Sequence, residues 1–278
     1  MIRRKKFLNE LTKIISENNS ILSITNVGSF LKKKNFSDID IVVIVDNLER
    51  KTFKKIKKKL KEIQLKKYNL RKKIFINDTF GPLKYNNKEN LVIHLMIYSI
   101  KDHLNHTIES PLTCLDWERN KSLYGMNLRE IFPVSKILKS DFYNKNRSFI
   151  TYKKNLSKNV INYKKYYFKN NKIFVKNLSH KINYKNTIEL CYHIYKFLCI
   201  NYLKFKNQKN KLFSDKQILI FLRKFDKIYD NYNYLTYINL SKYKINNKSK
   251  INANELKNTT LKFINNFEKF LNLEFKNC

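Results

Sequence analysis

The chain contains the run Gly28-Ser29-Phe30-Leu31-Lys32-Lys33-Lys34-Asn35-Phe36-Ser37-Asp38-Ile39-Asp40-Ile41-Val42-Val43-Ile44-Val45. A tight turn bearing a hydroxyl leads through a basic loop into two acids and then a β-branched apolar run, the composition of a buried strand. Side chains at i and i+2 of a strand share a face, so Asp38 and Asp40 stand side by side. Two neighbouring carboxylates suit a divalent cation. Glycine is scarce, with three in 278 residues, so Gly28 marks a close backbone approach or an unusual φ.

Around this run the periodicity predicts alternating elements. Leu8, Leu11, Ile14 and Ile15 give a helix over 5–18, and residues 21–27 read as the first strand. Beyond the motif strand, 38–45, comes a lysine-rich helix over 49–63 with Phe53, Ile56, Leu60 and Ile63 as its apolar stripe. A short strand at 73–76, a turn at Gly81-Pro82 and a long strand over 90–98 follow. Residues 100–139 read as a loop-rich connector around the sole tryptophan, Trp117. Past about 140 the pattern becomes helical, over 147–168, 183–206, 214–228 and 254–272, with Ser214-Asp215 as a cap for the third.

The Gly28-Ser29 turn followed by Asp38-Ile39-Asp40 resembles the signature of the nucleotidyltransferase-fold superfamily, which includes antibiotic nucleotidyltransferases and polymerases of the DNA polymerase beta type. The likeness covers only the N-terminal part. It implies an α+β fold, with a nucleotidyltransferase-like mixed sheet and flanking helices over 1–135 and an all-helical domain over 136–278. It further implies that Gly28 and Ser29 hold a triphosphate while Asp38 and Asp40 hold Mg²⁺ or Mn²⁺. The donor is then an NTP whose nucleoside monophosphate passes to an acceptor hydroxyl, with the helical domain choosing the acceptor. Some stand-alone members pair with helical nucleases that use an Arg-x4-6-His motif, which has no match around His180 or His193.

The resemblance also implies a third carboxylate on a neighbouring strand. Here that strand is 91–98, and its central polar residue is His94, flanked by Ile93 and Leu95 and so on the face opposite to theirs. Three readings of His94 stay open. Imidazole can act as a general base near neutral pH, it can ligate a cation and lean the site toward Mn²⁺, or it can be a packed core group in a silent domain that only binds nucleotide or RNA. Asp78, Glu89 and Asp116 are expected at the surface, as are His103 and His106, whereas His193 is expected to pack inside a helix.

A formal charge of +36 arises from 58 Lys and Arg against 22 Asp and Glu. Such a field attracts phosphates and weakens with salt. The cations are overwhelmingly lysine and accompany abundant Asn, Ile, Tyr and Phe, so a compositional bias explains much of the excess. A small-molecule acceptor is therefore expected ahead of RNA, with nucleic acid as a contact through the positive surface. Cys114, Cys191, Cys199 and Cys278 lack metal-ligand spacing and read as reduced thiols of a cytoplasmic protein. The basic start is an amphipathic helix and no signal peptide, and no apolar stretch approaches the roughly 20 residues of a membrane helix.

Overall fold

The computed structural model describes residues 2–28, 30–31, 38–70, 73–80, 90–169, 172–207, 213–246 and 251–275. The chain divides into two compact units. The first comprises Met1–Glu109, Thr113–Val134 and Asn162–Ser179, and the second Ser110–Leu112, Ser135–Ile161 and His180–Cys278.

In the first unit, α1 (Ile2–Ser16) leads into β1 (Ile21–Asn26), β2 (Asp38–Val45), α2 (Arg50–Lys61), β3 (Lys73–Asn77), β4 (Thr79–Phe80) and β5 (Asn90–Ser99). Then come α3 (Ile100–Glu109), α4 (Pro111–Trp117), β6 (Ser122–Gly125) and α5 (Leu128–Ile131). Among the described residues, five strands form one mixed sheet ordered β3-β5-β2-β1-β6. β2 and β3 each run parallel to β5, while β1 is antiparallel to β2 and β6.

Central position explains composition. β2 and β5 are buried along nearly their whole length, and strands covered on both faces read as continuous Ile, Val and Leu runs rather than alternating ones. Against them packs a core that includes Phe7, Leu8, Leu11 and Ile15 of α1 and Phe53, Ile56 and Leu60 of α2. The lysines of α2 at 51, 54, 55, 58 and 61 are exposed, so they form the wet face of an amphipathic helix. Full burial of each large apolar side chain is worth about 1.5–3 kcal/mol.

Two expectations are corrected. The presumed connector over 100–139 contains α3, α4, β6 and α5, and β6 adds an edge to the main sheet beside β1. Four residues are too few for alternation to register. Gly125 closes this strand at φ +68°, where a Cβ would lie 2.0 Å from the Leu22 carbonyl oxygen. The helix expected over 147–168 stops early, at Ser157. Asn159 takes a left-handed φ of 51°, and the chain continues as β7 (Val160–Lys169) and β8 (Lys172–Lys181), which form a second sheet ordered β4-β7-β8. Tyr and Phe between lysines suit either period, and aromatic content favours the strand.

The second unit is mainly helical, with α6 (Asp141–Asn144), α7 (Phe149–Ser157), α8 (Tyr184–Asn207), α9 (Asp215–Tyr229), α10 (Asn233–Asn246) and α11 (Ala253–Glu274). Tyr195 of α8 stacks on Phe263 of α11 at 4.1 Å, and Phe225 of α9 meets Phe267 at 5.7 Å. Ser214 caps α9 by accepting from the Gln217 amide at 3.3 Å. α10 was not foreseen, because its residues show no clear apolar stripe. Its start is held by Asp226, which accepts from the amides of Asn233 and Tyr234 at 3.1 and 2.7 Å, a carboxylate at a helix N-terminus. No helix among the described residues is long and apolar enough to cross a membrane.

The histidines of α3 are also corrected. His103 is 1% exposed, with its ring 6.2 Å from Tyr98 and 6.1 Å from Phe132. His106 stacks on Tyr98 and lies 5.1 Å from Trp117. The expectation treated an i, i+3 pair as solvent-facing, whereas α3 turns that face into an aromatic cluster. Burial pushes the His103 imidazole down from 6.5 to about 4. The unfolded chain therefore binds a proton that the folded chain refuses, and stability present above pH 6.5 is lost as pH falls toward 4. The expected loss is about 3 kcal/mol, and His103→Phe should flatten it, as read from urea midpoints at pH 7, 5.5 and 4.

Candidate active site

Parallel pairing of β2 with β5 sets Asp40 opposite His94, and pairing of β3 with β5 sets Asn77 opposite the same histidine. Three polar groups thus form a row across three adjacent strands. Asp38, two residues before Asp40, shares its face. Donor atoms of Asp38, Asp40 and His94 all lie within 4.8 Å of one another. The expected trio is brought together.

Asp38 and His94 are 9% and 6% exposed, on strands that are otherwise largely apolar, and Asp40 is half-buried. The His94 Nε2 lies 3.4 Å from Asp38 Oδ2. On the other side of the ring, Asn77 Nδ2 donates to His94 Nδ1 at 2.7 Å. Asn77 Oδ1 in turn accepts from the Thr79 backbone amide at 3.1 Å and from the Thr79 hydroxyl at 2.8 Å.

Gly28 lies against Asp40. A Cβ built there would stand 2.4 Å from Asp40 Oδ2 and 3.2 Å from Asp40 Cβ. The glycine thus leaves room for close approach of a carboxylate that a Cβ would displace, and its φ is not left-handed. The chain just before it is pinned to the same residue, since the Val27 amide and Asn26 Nδ2 each donate to the Asp40 carbonyl at 3.0 Å. Ser29 and Lys32 to Lys34 lie outside the described residues, as do Glu89 and the Gly81-Pro82 turn.

The other acids are engaged elsewhere. Asp78 pairs with Lys57 at 2.6 Å and Lys165 at 3.5 Å, and Asp116 pairs with Arg119 at 3.1 Å. Asn77 and Thr79 are the site residues that sequence reasoning missed. A polar residue closing the short strand 73–77 was the available signal, but only strand register reveals that it faces His94.

Two oxygens from paired carboxylates fit a hard divalent cation, and the buried Nε2 without a hydrogen-bond partner sits at the edge of that donor set. Residues 8–97 match the family model described as Nucleotidyltransferase domain. The N-terminal part of the chain is therefore similar to a nucleotidyltransferase domain over that span. Its matched span runs from α1 into β5 and includes Gly28, Asp38, Asp40 and His94. No curated protein and no solved structure matches the chain.

The Gly28 contact makes a test. Gly28→Ala must displace the Asp40 carboxylate, and a displacement of about 1 Å at a reacting centre costs on the order of 10²-fold in rate. Mn²⁺ titration by electron paramagnetic resonance should show weakened binding in Gly28→Ala, with the thermal midpoint close to that of the parent.

Proposed function

We propose that the chain transfers a nucleoside monophosphate from an NTP to the hydroxyl of a small-molecule acceptor and releases pyrophosphate. The observation that carries this reading is the Asp38 and Asp40 carboxylate pair, with Asp40 packed against Gly28, inside the span that matches a nucleotidyltransferase domain. Asp38 and Asp40 would hold Mg²⁺ or Mn²⁺, which supplies charge neutralisation on the phosphates and alignment for in-line displacement. Gly28 leaves room for Asp40, and the turn it begins, with Ser29, would donate to the triphosphate. Acceptor choice is assigned to the helical unit. Nucleic acid then contacts the chain only through its positive field, in a salt-dependent way.

A second reading is a domain that binds nucleotide or RNA without turnover. The observation favouring it is His94 in the row where the resemblance implies a third carboxylate.

Pyrophosphate release separates the two. With each of the four NTPs, Mg²⁺ or Mn²⁺ and a panel of hydroxylated acceptors, release is expected and should fall in Asp38→Ala and Asp40→Ala. The expected loss is on the order of 10²–10³-fold, the scale on which one preorganised electrostatic partner acts. Saturable nucleotide binding with no release under either metal would instead establish the second reading.

A further inference from the structure

The hydrogen-bond chain behind His94 fixes which of its nitrogens carries the proton. A backbone N–H can only donate, so the Thr79 amide at 3.1 Å obliges Asn77 to present its Oδ1 there. The Thr79 hydroxyl, 2.8 Å from the same oxygen, fits that orientation. Asn77 must therefore point its NH₂ at the ring, and Nδ1, at 2.7 Å, has to accept. Any form of the ring with a proton on Nδ1, whether the other neutral tautomer or the imidazolium, would set N–H against N–H. Rotating the Asn77 amide only moves the conflict to Thr79. The remaining ring nitrogen, Nε2, then bears the proton, and it is buried 3.4 Å from Asp38 Oδ2.

We propose that His94 is held as its Nε2–H tautomer, with that nitrogen beside Asp38 but not hydrogen-bonded to it, a positioning residue that is neither the general base nor a ligand to the cation, with Asn77 and Thr79 as the groups that hold it so. Both excluded roles need a lone pair on Nε2, and Asn77 has placed the ring's lone pair on the far side. The Nε2–H instead sets a positive dipole 3.4 Å from the buried carboxylate and leaves the cation to oxygen ligands alone, which favours hard Mg²⁺ over softer ions. The tautomer follows from the hydrogen bonds themselves, whereas its consequence for the cation rests on the reading of Asp38 and Asp40 given above.

The test uses the full-length chain, uniformly ¹⁵N-labelled and metal-free, with imidazole nitrogens observed by long-range proton–nitrogen correlation and His94→Gln identifying the signals. The expected spectrum has His94 protonated on Nε2 and bare on Nδ1. Asn77→Asp replaces the donor facing the ring by an acceptor of the same shape, so the ring proton is expected on Nδ1. With Mn²⁺ added, pulsed electron paramagnetic resonance should show a directly bound imidazole nitrogen in Asn77→Asp and none in the parent. The Mn²⁺-over-Mg²⁺ preference of the variant should rise on the 10–100-fold scale of partners that orient metal ligands. A parent His94 protonated on Nδ1, or a manganese–nitrogen coupling in the parent, would overturn the proposal, and the parent spectrum decides even where a variant fails to fold. Absence of Mn²⁺ binding would instead overturn the cation reading of Asp38 and Asp40, with the metal-free spectrum still deciding the tautomer.

Discussion

The parallel pairing of β2 with β5 is the constraint from which the site descends. Both strands bury Ile, Val and Leu on two faces, and a slip of one residue would move every side chain to the opposite face. The apolar portions, Ile41 to Val45 and Leu95 to Ile97, therefore lock a register whose polar consequence lies at Asp38, Asp40 and His94. The acids need no dedicated device to meet the histidine. Burial of the hydrophobic remainder sets their address.

Placing carboxylates on such strands is costly unless they are paired or coordinated. The surroundings answer in two ways. The Val27 amide and the Asn26 side-chain amide each donate to the Asp40 carbonyl at 3.0 Å, which fixes the backbone that carries the acid, and Gly28 gives up its side chain so that the Asp40 carboxylate has room. Around Asp38, the imidazole of His94 stands within reach, backed by Asn77 and Thr79 from the adjoining strands. The anionic pair thus depends on groups from β1, β2, β3 and β5 of the main sheet and β4 of the second, which makes the site a property of several strands and not of one loop.

Much of this was legible in the sequence where burial and side-chain period agree. The motif strand begins and ends at the residues that its composition marks, Asp38 and Val45, and the stripe Phe53, Ile56 and Leu60 faces the core as its spacing requires. Asp38, Asp40 and His94 were recognisable because polar residues on apolar strands stand out. Asn77 was not, since its role depends on how β3 registers against β5, and no local pattern encodes pairing between strands separated by a crossover. The strand pair β7 and β8 was hidden for another reason. Its aromatic residues alternate with lysines at intervals that suit a helix equally well, and only the left-handed Asn159 announces the change of direction.

The aromatic cluster on α3 has a practical corollary. Trp117, the chain's sole indole, is 9% exposed and rests beside His106 and Tyr98 in the unit that carries the carboxylates. Its emission comes from that unit alone and not from the mainly helical one. Nature has thereby installed a fluorophore that reports melting of the sheet-bearing half separately from its neighbour, without any label.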